Sequence, residues 1–140
     1  MNKKKVMIVD DTSMMRVIVG NMFHADPYLC VAGYASNGKE ALEKLPALKP
    51  DLILLDIEMP EMDGLEFLRH ARLKCPCKIV VLSSVTPAGS PRAIQARMLG
   101  ADAIISKPSG AVSYDLKEKR GSLLFQTIYK LLNITNESNS

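Results

Sequence analysis

The sequence predicts a doubly wound α/β domain built on a five-stranded parallel sheet, because five short apolar runs alternate with amphipathic stretches along its 140 residues. The runs are rich in Val, Ile and Leu and apolar on both faces, as strands covered by helices on both sides must be. Strict alternation with short connections is typical of such sheets. The predicted strands are Lys5–Val9, Cys30–Ala35, Leu52–Leu55, Ile79–Leu82 and Ala103–Ile105.

Helices are predicted in the segments that follow these strands. The first begins after Thr12 and Ser13, whose hydroxyls can cap a helix. The second is expected to stop before Pro46, the fourth to end at Gly100 as a C-terminal cap, and the last to begin near Asp115. Apolar residues recur in them at helical spacing: Met14, Val17, Ile18 and Met22; Ala41, Leu42 and Leu45; Leu65, Phe67 and Leu68; Ala93, Ile94, Ala96 and Met98; and Leu124, Ile128, Leu131 and Leu132.

Length and composition suit one globular domain, expected over residues 1–132 and followed by a polar tail at 133–140. Hydrophobic residues make up 47% and charged residues 24%, which are ordinary values. A net charge of +3 is too small to indicate a nucleic-acid partner. No run approaches the roughly 20 apolar residues of a membrane span, and the amino end lacks a signal-peptide core. We therefore expect a cytoplasmic location with no membrane contact.

Charged residues follow three of the predicted strands. Asp10 and Asp11 follow the first strand, Asp56 follows the third and Lys107 follows the fifth. The carboxyl ends of parallel strands meet at one edge, where open α/β sheets build their sites, and a reversal of winding beside the first strand brings the three carboxylates together. Such a cluster needs a cation, so the pattern favours a metal-assisted phosphoryl site. Taken alone, Asp10 and Asp11 could instead form a strand-end turn that caps the next helix. Lys107 alone could be an ordinary surface lysine.

These residues belong to five ordered motifs that resemble the receiver domain of two-component response regulators. The similarity spans about residues 4 to 132 and implies the flavodoxin-like strand order 2-1-3-4-5. Segments 85–90 and 107–110 are similar to the receiver part of chemotaxis protein-glutamate methylesterases. The motifs are Val9-Asp10-Asp11, Leu55-Asp56-Ile57-Glu58-Met59-Pro60, Met62-Asp63-Gly64, Leu82-Ser83-Ser84 and Lys107-Pro108.

The resemblance implies a phosphoryl acceptor and a magnesium site. Asp56 would accept a phosphoryl group from a histidine kinase as an aspartyl phosphate. Asp10 and Asp11 would hold Mg²⁺ together with Asp56 and the main-chain carbonyl of Glu58. Few carboxylates plus a phosphate are the ligands that this hard cation prefers.

The resemblance also implies a phosphate clamp and an output face. Lys107 would pair with Asp56 and later with the phosphoryl oxygens, and the Ser83 hydroxyl would bind one of those oxygens. Ile104 departs from the family, which usually has Tyr or Phe there as a moving part of the switch. The face formed by the fourth helix, fifth strand and fifth helix would contact an output domain or partner.

Two other functions remain open at the level of sequence. A metal-dependent phosphatase with an aspartyl nucleophile would usually have a second Asp two residues after Asp56, where Glu58 stands. A nucleotide-binding module would need a glycine-rich loop after the first strand, and the sequence has none there. We expect a signalling phospho-acceptor that at most dephosphorylates itself slowly, with no methylesterase catalytic domain in these 140 residues.

Overall fold

Five parallel strands form one sheet in the order β2-β1-β3-β4-β5, which confirms the predicted fold class and strand order. The structure, a computed structural model, describes residues 3–10, 13–24, 26, 28–56, 64–74, 76–83, 91–106 and 121–134. Every strand is longer than predicted by one or two residues, because the residues at its ends still pair with neighbouring strands. The strands are β1 Lys4–Val9, β2 Leu29–Ala35, β3 Leu52–Asp56, β4 Lys78–Ser83 and β5 Ala103–Ser106.

Helices cover both faces of the sheet, and alternate strand residues point into two separate cores. Met7 and Ile53 pack on one face with Phe67 and the other core residues of α2, α3 and α4. Val6 packs on the opposite face with Phe23 of α1 and Ile128 of α5. Within the described residues, no helix has the length and apolar character needed to cross a membrane. The helices are α1 Ser13–His24, α2 Gly38–Leu48, α3 Gly64–Lys74, α4 Pro91–Met98 and α5 Gly121–Leu132.

The second helix passes through Pro46, so the expectation that it stops before this proline is wrong. It ends instead at Leu48, and Lys49 caps it in a left-handed conformation with φ 45°, donating its N–H to the Leu45 carbonyl at 3.0 Å. A proline in a helix interior costs about 3 kcal/mol, largely through a lost hydrogen bond and a clash with the preceding turn. Burial of Leu45, with partial burial of Leu48, contributes a stabilisation of comparable size, roughly 1.5–3 kcal/mol for a fully buried leucine.

The fourth helix ends as the sequence predicted. Gly100 has φ 111° and donates its N–H to the Arg97 carbonyl at 3.1 Å, while the Ala101 N–H reaches the Ala96 carbonyl at 3.0 Å. This pair of bonds is the Schellman arrangement, in which glycine adopts a positive φ without a steric penalty.

The last helix ends in the same way but without a glycine. Asn133 has φ 57°, and the Ile134 N–H donates to the Tyr129 carbonyl at 2.9 Å. Ile134 packs against the core that contains Ile128. The described structure therefore includes the first two residues of the expected polar tail, and the expected helix start near Asp115 lies outside the described residues.

Candidate functional site

Asp56 is the last residue of β3, which lies in the middle of the sheet between β1 and β4. Asp56 is only 1% exposed. The residues before it, Leu52–Leu55, are all apolar, so Asp56 is the one charged residue of a fully buried strand. A buried carboxylate is stable only where partners compensate for lost water. A residue that costs so much to bury at a strand end is a candidate for chemistry.

Asp10 lies beside Asp56 at the same edge. The register pairs Val9 of β1 with Leu55 of β3, so the residues that follow them are neighbours on adjacent strands, which run roughly 5 Å apart. Asp10 is 2% exposed, and its N–H donates to the Ala35 carbonyl at 3.0 Å. The sequence thus predicted correctly that these two strand ends meet.

Arg16 is a contact of this edge that the sequence analysis missed. From α1 its guanidinium Nη1 donates to the main-chain carbonyl of Asp10 at 2.6 Å. The bond holds the strand end from the helix side and brings a positive charge to a carboxylate-rich edge. The sequence does offer one sign of this contact. Arg16 lies in the first half of a helix, where the helix dipole disfavours a cation unless it has a partner.

The neighbouring loop between β2 and α2 is held by Glu40. Its carboxylate binds Lys44 Nζ at 2.8 Å, the Ser36 N–H at 2.8 Å and the Ser36 hydroxyl at 2.7 Å. The hydrogen bond from Lys44, followed by those from Ser36, lowers the pKa of Glu40 to about 2. Asn37 caps the helix by accepting the Glu40 N–H at 2.8 Å. The loop follows Ala35, whose carbonyl accepts the Asp10 N–H, so these bonds hold the backbone next to that strand end.

The ends of β4 and β5 complete the described part of the edge. Asp56 pairs with Leu82, so Ser83, the last residue of β4, lies one residue beyond it, opposite Ser106 of β5. Lys107 directly follows Ser106 in the chain. Asp11, Glu58 and Lys107 themselves lie outside the described residues.

Two carboxylates of the expected metal site are described, those of Asp10 and Asp56. Their oxygen chemistry fits Mg²⁺, which takes hard oxygen ligands and commonly uses one or two carboxylates. No group of three or more His, Cys, Asp or Glu side chains with the arrangement of a metal site occurs in the part of the chain that the structure describes. The remaining proposed ligands, Asp11 and Glu58, fall beyond that part.

Ile104 is partly buried in β5, opposite Val81, and packs against the core formed with α2, α3 and α4. A β-branched side chain has few χ1 rotamers, which suits this fixed position. The residue is thus packed, whereas its part in a switch stays a prediction.

The fold and this edge define a class of protein, and comparison with known families identifies it. The family model described as response regulator receiver domain matches residues 6–115. The chain therefore belongs to the receiver-domain family of two-component response regulators.

Within that family the chain is similar to the receiver part of methylesterases, as its motifs indicated. It is 44% identical over 120 residues to a protein-glutamate methylesterase/protein-glutamine glutaminase from Halalkalibacterium halodurans, a match covering 86% of this chain and 35% of that protein. A homologue of the same name from Geobacillus kaustophilus is 40% identical over 125 residues, or 89% of this chain and 36% of that protein. The chain spans about a third of the length of these curated relatives.

Solved structures agree with this placement. The response regulator domain of Thermotoga maritima CheB superimposes with a TM-score of 0.84 at 34% identity, covering 96% of this chain and all of that one. A complex of the P1 domain of CheA3 with CheY6 from R. sphaeroides matches with a TM-score of 0.78 at 50% identity, covering 95% of this chain and 99% of that one.

Proposed function

We propose that this chain is a phospho-acceptor receiver in which Asp56 takes a phosphoryl group from a histidine kinase. The observation that carries the proposal is the burial of Asp56 at the end of the central strand, beside Asp10 in the register. A carboxylate oxygen of Asp56 forms a bond to phosphorus while the bond from phosphorus to the donor's imidazole nitrogen breaks. The imidazole, protonated at its other nitrogen, leaves as a neutral histidine on the kinase, and the product on this chain is an aspartyl phosphate.

Mg²⁺ would be held by Asp10, Asp11, Asp56 and the main-chain carbonyl of Glu58. When bound, the ion offsets the negative charge that gathers on the phosphoryl oxygens. Asp10 is suited to this role because two main-chain hydrogen bonds, to Ala35 and from Arg16, fix its position. A carboxylate held in place by these bonds would help to position the ion beside Asp56.

Lys107 and Ser83 would contact the phosphoryl oxygens from the other side of Asp56. The pairing of Ser83 with Ser106 supports this, since it brings the ends of β4 and β5 to the same level as the end of β3. Lys107 supplies a charge that compensates Asp56 before reaction and the phosphate afterwards. Ser83 supplies a hydroxyl donor.

The pathway is proposed to be chemotaxis, in the cytoplasm. The relatives include methylesterases and the response regulator domain of a CheB, and one matching complex pairs CheY6 with the P1 domain of CheA3. We propose a histidine kinase of the chemotaxis pathway as the phosphodonor, and an output domain or partner at the face of α4, β5 and α5. The same relationship favours a signalling receiver over a phosphatase that turns over small esters.

Incubation with acetyl phosphate and Mg²⁺ tests the proposal directly. Intact-mass measurement should show addition of one phosphoryl group, and Asp56→Asn or chelation of the metal should abolish it. Asp51→Asn is the matched control, since Asp51 immediately precedes β3, whereas Asp56 ends it. Its labelling should equal that of the parent chain.

Labelling that persists in Asp56→Asn would place the chemistry elsewhere. Repeated turnover of p-nitrophenyl phosphate, lost in Asp56→Asn, would instead support a phosphatase.

A further inference from the structure

The amino edge of the sheet, opposite Asp56, has a high density of exposed lysines. Strands of five or six residues separate the two edges by roughly 17 Å. The exposed lysines begin two strands, precede a third and end one helix. They are Lys3, Lys4 and Lys5 at β1, Lys49 before β3, Lys74 at the end of α3 and Lys78 at the start of β4.

Backbone hydrogen bonds through Asp51 connect the strands that carry two of these lysines, Lys5 and Lys78. Asp51 donates its N–H to the Lys5 carbonyl at 2.9 Å, and its own carbonyl accepts the Lys78 N–H at 3.1 Å. Its Oδ2 accepts the Lys5 N–H at 2.8 Å, and Asp102 accepts the Ile79 N–H in the same way at 2.8 Å. The carboxylates of Asp51 and Asp102 are thus engaged with the backbone, whereas the lysines are exposed.

An apolar pocket of about 430 Å³ opens between the ends of α2 and α3 at this edge. Its prolines have fixed φ angles, so the walls are largely preformed and a ligand loses little free energy in ordering them. None of the described lining residues is acidic. They are Leu45, Pro46, Lys49, Pro50, Lys74 and Pro76.

We propose that this pocket and its lysines are a docking site for an acidic polypeptide segment that carries one or two large apolar side chains. The apolar walls suit such a side chain, and Lys49 and Lys74 at the pocket suit carboxylates that flank it. Lys5 lies on the same face of the sheet, since Met7 and Val9, which alternate with it, pack against the α2–α4 core. Charge complementarity therefore extends beyond the pocket itself.

A polypeptide fits this surface better than a nucleic acid. The described lining residues include no aromatic ring for base stacking and no arginine for a bidentate phosphate contact, and the chain's net charge is only +3. A partner docked here leaves the Asp56 edge open. The site therefore allows a partner to remain bound while Asp56 reacts, and it does not depend on the phosphorylation chemistry.

The test uses a capped hexapeptide of Asp, Glu, Phe, Leu, Glu and Asp, titrated into the ¹⁵N-labelled chain. Amide shifts should concentrate at Leu45, Lys49 and Lys74. Lys49→Glu/Lys74→Glu should weaken affinity about tenfold, because two favourable charge pairs become repulsive. Lys130→Glu should leave affinity unchanged, since Lys130 is also an exposed lysine in the last turn of a helix but lies on α5.

A neutral pair of substitutions, Lys49→Gln/Lys74→Gln, should give an intermediate loss and covers the case in which the double reversal fails to fold. Acetyl phosphate labelling of Asp56 should be the same in all these variants.

Three outcomes would overturn the proposal. One is equal binding of a peptide with Ser in place of Phe and Leu, which would show charge attraction alone. Another is an equal loss of affinity in Lys130→Glu. The third is binding of heparin or phosphatidylglycerol vesicles at Lys49 and Lys74 with no binding of the peptide, which would assign the surface to another polyanion. Failure of Asp56 labelling in the parent chain would contradict the receiver function but would not contradict the proposed docking site.

Discussion

Tyr129 of α5 donates its phenolic hydrogen to Oδ2 of Asp26, a contact between residues 103 positions apart in sequence. Asp26 is 7% exposed, and its Oδ1 accepts the Tyr28 N–H at 2.7 Å. The rings of Tyr28 and Tyr129 meet edge to face with centroids 5.9 Å apart. One buried carboxylate therefore joins the connection after α1 to the last helix.

Tyr129→Phe should destabilise the fold by roughly 1–3 kcal/mol, because the buried Asp26 loses a hydrogen-bond donor. Urea unfolding followed by circular dichroism measures this. Tyr28→Phe keeps the ring contact and the N–H donor and should change stability much less. Equal stabilities of Tyr129→Phe and the parent chain would show that water replaces the hydroxyl without cost.

The same contact predicts a dependence on alkaline pH. Burial, and then the hydrogen bond to Asp26, raises the pKa of Tyr129 above its usual value of about 10. The stabilisation is complete below the pKa of the unfolded chain and is lost as pH rises from there through the folded value. Unfolding free energy should fall above pH ~10 more steeply in the parent chain than in Tyr129→Phe. Parallel curves for the two would contradict the assignment.

Glu40 predicts a dependence on acidic pH with the opposite sign. Its pKa falls from 4.5 in an unperturbed glutamate to about 2, chiefly through Lys44 and then Ser36. Its contribution is complete above pH 4.5 and is lost as pH falls toward 2. The carboxylate is partly exposed, so solvent screening keeps the effect modest. Urea midpoints between these pH values should change less in Glu40→Gln than in Glu43→Gln, an exposed neighbour on α2.

Mg²⁺ should raise the melting temperature, because the proposed magnesium site exists only in the folded chain. Two carboxylates about 4 Å apart repel by roughly 4 kcal/mol at an effective dielectric constant near 20, before relief by Lys107 or by proton uptake. Asp11→Asn should therefore raise metal-free stability and weaken Mg²⁺ binding, as differential scanning calorimetry would show. An unchanged or lower metal-free melting temperature in Asp11→Asn would count against clustered carboxylates.

Ser83→Ala and Ile104→Ala should distinguish whether the Ser83 hydroxyl or the Ile104 side chain couples phosphorylation of Asp56 to changes in α4 and β5. A ligand shifts an equilibrium only through its differential interactions with the two states, and the Ser83 hydroxyl is the proposed differential contact with the phosphoryl group. Phosphorylation of Asp56 should persist in Ser83→Ala, while amide shifts along α4 and β5 shrink. Ile104 is already packed, so Ile104→Ala should retain most of those shifts. The reverse pattern would make Ile104 the moving part.

The sequence alone was sufficient for the architecture and for the meeting of Asp10 with Asp56. Strands that must be buried on both faces consist of uninterrupted apolar runs, so a carboxylate at the end of such a run stands out. Strand alternation and right-handed crossovers then leave few arrangements, and the resemblance to receiver domains selects the one that brings both strand ends to one edge. The glycine cap of α4 was also readable, because a positive φ favours one residue type.

Tertiary structure decided the features in which distant residues overrule local preference. Pro46 signals a helix end, yet burial of Leu45 and Leu48 carries α2 past it. The contact of Arg16 with the Asp10 carbonyl and that of Tyr129 with Asp26 depend on how helices rest against the sheet. So does the lysine-rimmed pocket between α2 and α3. The spacing of residues along the chain does not predict these contacts, because they form only when packing brings the helices against the strand ends.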